Sequence, residues 1–525
     1  MTAPTARRAD FLMALAYATD LATGQSADFA LRSCVLAMRV AALAGLDTGQ
    51  RRAVYHQALL RYIGCNADTH LLASAFGDEI ALRQDLARID IGNKSELAAT
   101  ITRAITRRVA GAEPEALARA VEQGLAEAMQ VSVPILKGHC EVAQRIAERI
   151  GLPDDIRHNL GQLYERWDGN GLPRGLKGDA VTLPVRIVTL CQEAISLNET
   201  YGLDGMAARI AARKGGAYQP ELADLFLANA AALMQGLADP VSREAILALE
   251  PEPHALLDER GCDDAFLAVA DMVDMRMPHT FGHSRAVAAL AEAAAKVAGL
   301  PAADIRALRW AACVHDLGEL AIPVATWMRP GPLTTRERDS AELHPYHGEK
   351  ALASLGGEGQ AVAALVLRHH ERLDSTGYHR HVRGTDLSPA ARILAAAEAF
   401  QTARETRPHR PPLGDGPAAA RLRAMAREGK LCPQAVEAVL DAAGQPARRA
   451  LPDRAAGLTP REIEVLRLIA AGDTAKEAAR KLEIAPKTAD NHIQNLYSKI
   501  GVTTRAAAAL YALERGLVQG AWAVA

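Results

Sequence analysis

The chain has 525 residues, with 60 Lys and Arg against 62 Asp and Glu and a formal net charge of −2. That length exceeds the ~250–300 residues at which single cores stop growing, so more than one domain is expected. A content of 49% apolar and 23% charged residues excludes a disordered or collagen-like chain. The missing basic field confines any nucleic-acid contact to a local surface.

At the start, Arg7-Arg8 precede a short apolar stretch broken by Asp10, which reads as the opening of an amphipathic helix rather than an export signal. No apolar run reaches the ~18 residues that a spanning helix needs, so no membrane association is expected. The seven cysteines are odd in number, widely spaced and free of CxxC, which fits a reducing, cytoplasmic setting. Aromatics make up 4% and alanine dominates, which favours closely packed helices over strands. Helical spacing recurs, as in Val287, Leu290, Ala294 and Val297 and again in Ile463, Leu466 and Ile469. The expected fold class is all-α.

An internal repeat is present. Residues 165–192 align with 371–398 at an offset of 206 without a gap, and eight of the 28 positions are identical, among them Glu165/Glu371, Asp168/Asp374, Gly171/Gly377 and Arg186/Arg392. Two related helical domains are therefore expected, over 1–245 and 255–444. A linker carrying Pro446 and Pro452 should follow over 445–457, and a third unit over 458–525.

The histidines are unevenly placed: ten of 16 lie between His279 and His409. His315-Asp316 and His369-His370 are vicinal pairs, with His283 and His344 before them. Several helices that each offer one or two imidazole or carboxylate ligands can build a divalent-metal site in a bundle core. Thr280-Phe281-Gly282-His283-Ser284, His315-Asp316-Leu317-Gly318, His344-Pro345, His369-His370-Glu371 and Gly377-Tyr378 resemble, in this order, an HD-GYP phosphohydrolase of the HD superfamily. The resemblance implies a helical domain with at least two metal ions, iron or manganese, that opens a cyclic dinucleotide such as cyclic di-GMP. It implies that His283, His315, Asp316, His344, His369, His370 and Glu398 hold the metal, with His315 and Asp316 at the catalytic centre. Four positions depart from the pattern. Glu398 stands where the family has Asp, Glu319 where it has a phosphate-holding Lys, His379 in place of the Pro after Gly-Tyr, and His279 where some members have an extra metal-binding Glu. Glu319 and His279 are further candidates for substrate or metal contact. His347, His381 and His409 fall outside the pattern. The first repeat places Arg61-Tyr62 opposite His315-Asp316, Leu163-Tyr164 opposite His369-His370 and Gln192 opposite Glu398, so its expected state is a degenerate copy without metal ligands.

In the third unit, Thr459-Pro460-Arg461-Glu462 is a capping box with Pro at the first helical position. A second helix covers Ala475 to Leu482, and a third begins near Pro486 and stops before Gly501. The third carries an apolar stripe of Ile493, Leu496, Tyr497 and Ile500. Opposite the stripe stand Lys487, Thr488, Asn491, Asn495 and Lys499, with His492 on the same helix, a set suited to the major groove of double-stranded DNA. The stretch from Leu458 to Ala506 resembles a LuxR-type helix-turn-helix, which implies four helices and a homodimer joined through the last one, here about 504–516. Ala485 stands where that family places a capping Ser. The expected function is a cytoplasmic DNA-binding transcriptional regulator governed by a metal-dependent phosphohydrolase domain. The alternative is a non-catalytic metal or nucleotide sensor controlling the same DNA-binding dimer.

Overall fold

The computed structural model describes residues 6–26, 28–67, 69–444, 458–515 and 517. The expected linker 445–457 lies outside the described residues. The fold is all-α, and the described residues form one strand pairing, Ala6–Arg7 antiparallel to Leu256–Leu257, besides isolated bridges. The chain divides into two compact units. Unit 1 spans 1–261 with 323–325, and unit 2 spans 262–322 with 326–525. The segment 243–257 belongs to unit 1: Arg243 makes a double hydrogen bond to the buried Asp10 at 2.8 Å each, and Leu256–Leu257 pairs with the first strand.

In unit 2 the helices His283–Val297, Ala302–Val314, Gly359–Val366, Pro389–Arg404 and Pro433–Gly444 pack around an alanine-rich core. Small side chains let the helix axes approach and bring loops from several helix ends to one place. In unit 1 the helices Phe29–Leu43, Thr48–Leu60, Asp154–Leu160 and Leu183–Ala212 pack in the same way, the last of them broken at Gly202.

Local devices recur between the units. Asp20 accepts the Ala30 N–H at 2.9 Å, and Asp274 accepts the Ser284 N–H at 2.9 Å. Glu165 accepts the Arg174 and Leu176 N–H groups at 2.9 and 2.8 Å, and Glu371 accepts those of Arg380 and Val382 at 3.1 Å each. A Cβ added at Gly64 would lie 1.9 Å from the His139 carbonyl oxygen, and one at Gly318 would lie 1.8 Å from that of His344. The spacing between matched positions is 254 from Asp20 to Gly64 and about 206 from His139 onward. The extra length in unit 1 is taken by the helices Thr69–Phe76, Glu79–Leu86, Lys94–Arg108 and the start of Pro114–Arg149. These share a separate small core of Phe76, Leu82, Ala104, Ile105 and Ala128.

The C-terminal part of unit 2 has four helices, Pro460–Ala470, Ala475–Lys481, Pro486–Ile500 and Arg505–Glu514. Thr459 with Glu462 and Thr474 with Glu477 form capping boxes, and Thr504 caps the fourth helix. The third starts at Ala485 without a side-chain cap. Among the described residues no helix is long and apolar enough to cross a membrane.

Candidate metal centre and nucleic-acid interface

Each candidate ligand sits where a helix begins or ends, except one. His283 opens its helix directly after Gly282, whose φ of 77° makes the sharp entry that few other residues adopt. His315 and Asp316 leave the end of Ala302–Val314, His344 opens His344–Leu352, and His369-His370 follow Gly359–Val366. Glu398 projects from the middle of Pro389–Arg404. The turn after Asp316 crosses the start of His344–Leu352 so closely that only Gly fits at 318.

All seven expected ligands converge. Asp316, His344, His369 and His370 offer atoms within 4.8 Å of one another, and so do His283, His315 and Glu398. Asp316 joins the groups: its Oδ2 lies 3.2 Å from His315 Nε2 and 3.6 Å from His283 Nε2, and its Oδ1 lies 3.5 and 3.6 Å from the Nε2 atoms of His344 and His369. The rings are oriented from behind. The Nδ1–H groups of His315, His344 and His369 donate to the carbonyls of Ala312, Ala341 and Val366 at 2.8, 2.8 and 2.6 Å. A carbonyl only accepts, so Nδ1 carries the proton and Nε2 turns inward as the ligand atom. His283 Nδ1 meets Glu405 at 2.8 Å.

Burial opposes the charge on His315, but Asp316 and Glu398 outweigh it and push the imidazole up to about 10. Burial, with Glu405 and Glu398 acting against it, leaves His283 well above its ordinary value. Burial and the neighbouring imidazoles lower His369 to about 4 despite its contact with Asp316. The buried Nε2 atoms of His283 and His315 and the Oε2 of Glu398 have no hydrogen-bond partner of normal geometry. Imidazole nitrogens and carboxylates stacked this closely around orphaned atoms are a donor set that fits divalent metal.

Neither ligand group includes His279 or Glu319. The His279 carbonyl accepts from Arg407 Nη1 at 3.0 Å, within the turn Pro278–Thr280. Glu319 sits in the turn Leu317–Ala321, where burial and Asp316 push its carboxyl up to about 7 against the pull of His344, Arg276 and Arg407. Tyr378 lies over His370 with ring centroids 4.2 Å apart.

Sequence reasoning missed Glu405 and its supports. Glu405 is buried, receives Arg407 at 2.9 Å and Gln401 Nε2 at 2.7 Å, and so holds a carboxylate against His283. Its only sequence signal is a position seven residues after Glu398, two turns along the same helix direction.

In the C-terminal helices, Lys487, Thr488, Asn491 and Asn495 are exposed along Pro486–Ile500, and His492 is half-buried. Lys499 is exposed but its ammonium is held by the buried Glu462 at 2.7 Å, so it serves to tie this helix to Pro460–Ala470. The last helix is buried from Ala506 to Leu513.

Comparison with known families agrees with this geometry. Residues 268–434 match the HD domain model, and residues 456–512 match the bacterial regulatory protein model of the luxR family. The chain carries an HD domain followed by a luxR-family regulatory domain. The HD domain thus contains all seven converging ligands. Among curated relatives, a 3′3′-cGAMP-specific phosphodiesterase (number 3) of Vibrio cholerae is 25% identical over 416 residues, covering 76% of this chain and 87% of the relative. A cyclic di-GMP phosphodiesterase of Pseudomonas aeruginosa is 32% identical over 167 residues, covering 32% of this chain and 40% of the relative. A solved structure of a cyclic GMP-AMP-specific phosphodiesterase of V. cholerae superposes with a TM-score of 0.58 at 20% identity, over 84% of this chain and 98% of that one. That likeness speaks to fold, and it extends beyond the HD domain into unit 1.

Proposed function

We propose that the HD domain hydrolyses a phosphodiester bond of a cyclic dinucleotide and that the luxR-family domain binds double-stranded DNA as a homodimer in the cytoplasm. The observation that carries the first half is the convergence of seven ligands around Asp316. His283, His315 and Glu398 would hold one ion, and His344, His369 and His370 a second, with Asp316 shared. Two divalent ions, iron or manganese by the resemblance, supply Lewis-acid clamping of a phosphoryl oxygen and a hydroxide at neutral pH. The chain's own part is orientation. Backbone carbonyls fix three imidazoles, Glu405 fixes a fourth, and Tyr378 packs against the fifth, His370. Asp316 adjoins both ligand groups with His315 beside it, which supports the reading that these two act at the reacting centre.

Lys487, Thr488, Asn491 and Asn495 are the side chains proposed to reach base edges or phosphate. Lys499, also expected there, contributes through its bond to Glu462. His492 lies at the margin of that surface. Unit 1 is proposed to be a degenerate copy of the HD domain, supported by the matched Asp20, Gly64 and Glu165 devices.

The test is metal content and phosphodiesterase turnover of the intact protein beside Asp316→Asn. We expect metal per chain near two in the parent, its loss in the variant, and a fall in turnover of at least ~10³-fold. Equal turnover in both proteins would remove the site from the mechanism.

The sensor reading draws on Glu319, since an ionised carboxylate beside the ligands repels an anionic substrate. In the metal-free chain burial and Asp316 push the Glu319 carboxyl up to about 7. Nucleotide affinity of the metal-free protein should therefore fall as pH rises from 6 to 8 and stay level in Glu319→Gln. Binding without turnover in Glu319→Gln would favour the sensor.

A further inference from the structure

Unit 1 keeps the architecture of the metal centre and inverts its charge. Phe29, Arg61, Tyr62 and Gln192 stand at the places of His283, His315, Asp316 and Glu398, at the spacings of 254 and 206 that the matched devices set. A cluster of carboxylates and imidazoles that suits a cation is thereby replaced by a guanidinium, a phenol and an amide. The retained His139 is closed off. Its Nδ1 meets the Tyr164 hydroxyl at 3.0 Å, the same hydroxyl meets Cys65 Sγ at 2.9 Å, and its Nε2 meets the Ala67 carbonyl at 3.1 Å.

The remaining groups are not closed off. Arg61 is half-buried, and its Nη1 donates to Thr189 Oγ1 at 2.5 Å. Thr189 and Gln192 are three residues apart on the helix Leu183–Ala212 and share a face, so the bond from Arg61 to Thr189 directs the guanidinium to the face that carries Gln192. Gln192 is 2% exposed, and both its amide atoms lack a hydrogen-bond partner among the described residues, as does Arg61 Nε. Gln57, four residues before Arg61 on Thr48–Leu60 and fully buried, has both amide atoms in the same condition. Buried amides are almost always satisfied, so two such amides on packed helices, beside the half-buried guanidinium of Arg61, mark a place where something polar sits.

The acids nearby do not neutralise the guanidinium. Glu193 is engaged by Arg213 at 2.7 Å and by the Tyr218 hydroxyl. Asp20 accepts the Ala30 N–H, and burial pushes its carboxyl well above the usual range, toward the neutral form. One to two turns beyond Gln192 on the same helix, Ser196, Glu199 and Thr200 line a neighbouring cavity of about 340 Å³ with Gln84 and Arg88, which Arg61, Gln57 and Gln192 do not themselves line. That volume lies in the range of small-ligand pockets. Its second wall comes from Glu79–Leu86 and the residues after it, part of the segment by which unit 1 exceeds the HD domain.

We propose that unit 1 is a phosphate-binding site, in which Arg61 and the amides of Gln192 and Gln57 take the phosphate group of a phosphate ester. Arginine and amide N–H groups in fixed array match phosphate oxygens, whereas the metal ligands they replace do not. The proposal rests on reading unit 1 as a degenerate copy, and the experiment keeps the two apart.

The full chain carrying His315→Ala and His369→Ala, and separately the chelator-treated parent, are titrated calorimetrically with inorganic phosphate, a 5′-mononucleotide and a 3′3′-cyclic dinucleotide. We expect one site per chain, with an ester binding at least tenfold tighter than inorganic phosphate. Equal affinity for all three would support the site and identify free phosphate as its occupant. In either background Arg61→Gln should weaken binding at least tenfold. Gln192→Leu should do the same while the melting temperature holds or rises, because it removes an orphaned buried amide. Absence of binding in both backgrounds, or unchanged binding in both variants, overturns the proposal. Five HD-domain ligands remain in the His315→Ala/His369→Ala chain, so only manganese uptake that a further His139→Gln abolishes would instead overturn the degenerate-copy reading.

Discussion

Glu405 shows what a residue outside the ligand set does for the centre. Its carboxylate lies 2.8 Å from His283 Nδ1 and is itself held by Arg407 and Gln401. A carboxylate behind a ligating imidazole fixes the ring and raises its basicity, and such partners are worth about 10–100-fold in metal affinity or activity. Glu405→Gln keeps the shape and loses the charge. We expect metal affinity, measured by chelator competition, to fall within that range while the other ion of the pair is retained. An unchanged affinity would assign Glu405 to packing alone. The convergence of the seven candidate ligands was legible in the sequence because five are histidines beside short motifs, Asp316 adjoins one of them, and the family resemblance points to position 398. Glu405 was not, because one more glutamate near a helix end carries no such signal, and only folding brings residue 405 against residue 283.

At the level of elements, close crossings and helix ends decide where the ligands stand. Gly318 lies in the turn that carries Asp316, and a Cβ there would be 1.8 Å from the His344 carbonyl oxygen. Backbone cannot yield as a side chain can, so Gly318→Ala must push two ligand-bearing segments apart. We expect a loss of more than ~2 kcal/mol and of bound metal. Gly331→Ala, with nothing within 4 Å of its added Cβ, should be neutral in the same thermal melts and serves as the control. The helix Pro486–Ile500 presents the reverse case. Three neighbouring helix starts have Thr caps, but Ala485 provides none. Ala485→Ser should stabilise the C-terminal helices by ~0.5–2 kcal/mol, read by hydrogen exchange along 486–500. The helices and the capping boxes could be read from periodicity and from Thr-x-x-Glu spacing. The separate core of Phe76, Leu82, Ala104, Ile105 and Ala128 could not, because its members are dispersed over some fifty residues with no repeat of their own.

Across the whole molecule, the two units respond to acid through different histidines. The sequence alignment at offset 206 reached only the second half of the repeat. The first half shows its likeness in side-chain-to-backbone bonds, such as that of Asp20 to the Ala30 N–H and of Asp274 to the Ser284 N–H. In unit 1, burial lowers His56 to about 4 against its bond to the Arg52 carbonyl, and burial with Arg83 nearby lowers His139 to about 3. Both are neutral when folded, and both regain an ordinary value near 6.5 when unfolded. Their contribution to stability is complete above pH 6.5. It is lost as pH falls toward 4, because the unfolded chain takes up protons that the folded one refuses, at up to about 1.4 kcal/mol per pH unit for each histidine. In metal-free unit 2 the signs are mixed. His283 and His315 are raised, so their contribution is complete below 6.5 and fades as pH rises through the raised values, while His369 and His370 are lowered like those of unit 1. Unit 1 should therefore lose protection first on acidification. Hydrogen exchange of the metal-free protein at pH 7.5 and pH 5 should show faster opening of Thr48–Leu60 and of the end of Pro114–Arg149 than of Ala302–Val314 and Pro389–Arg404. In His139→Gln the acid sensitivity of unit 1 should fall, since one of two lowered histidines is gone while the raised carboxyl of Asp20 acts with the opposite sign in both proteins. Parallel loss of protection in both units, or a slope untouched by His139→Gln, would show that other groups control the acid response.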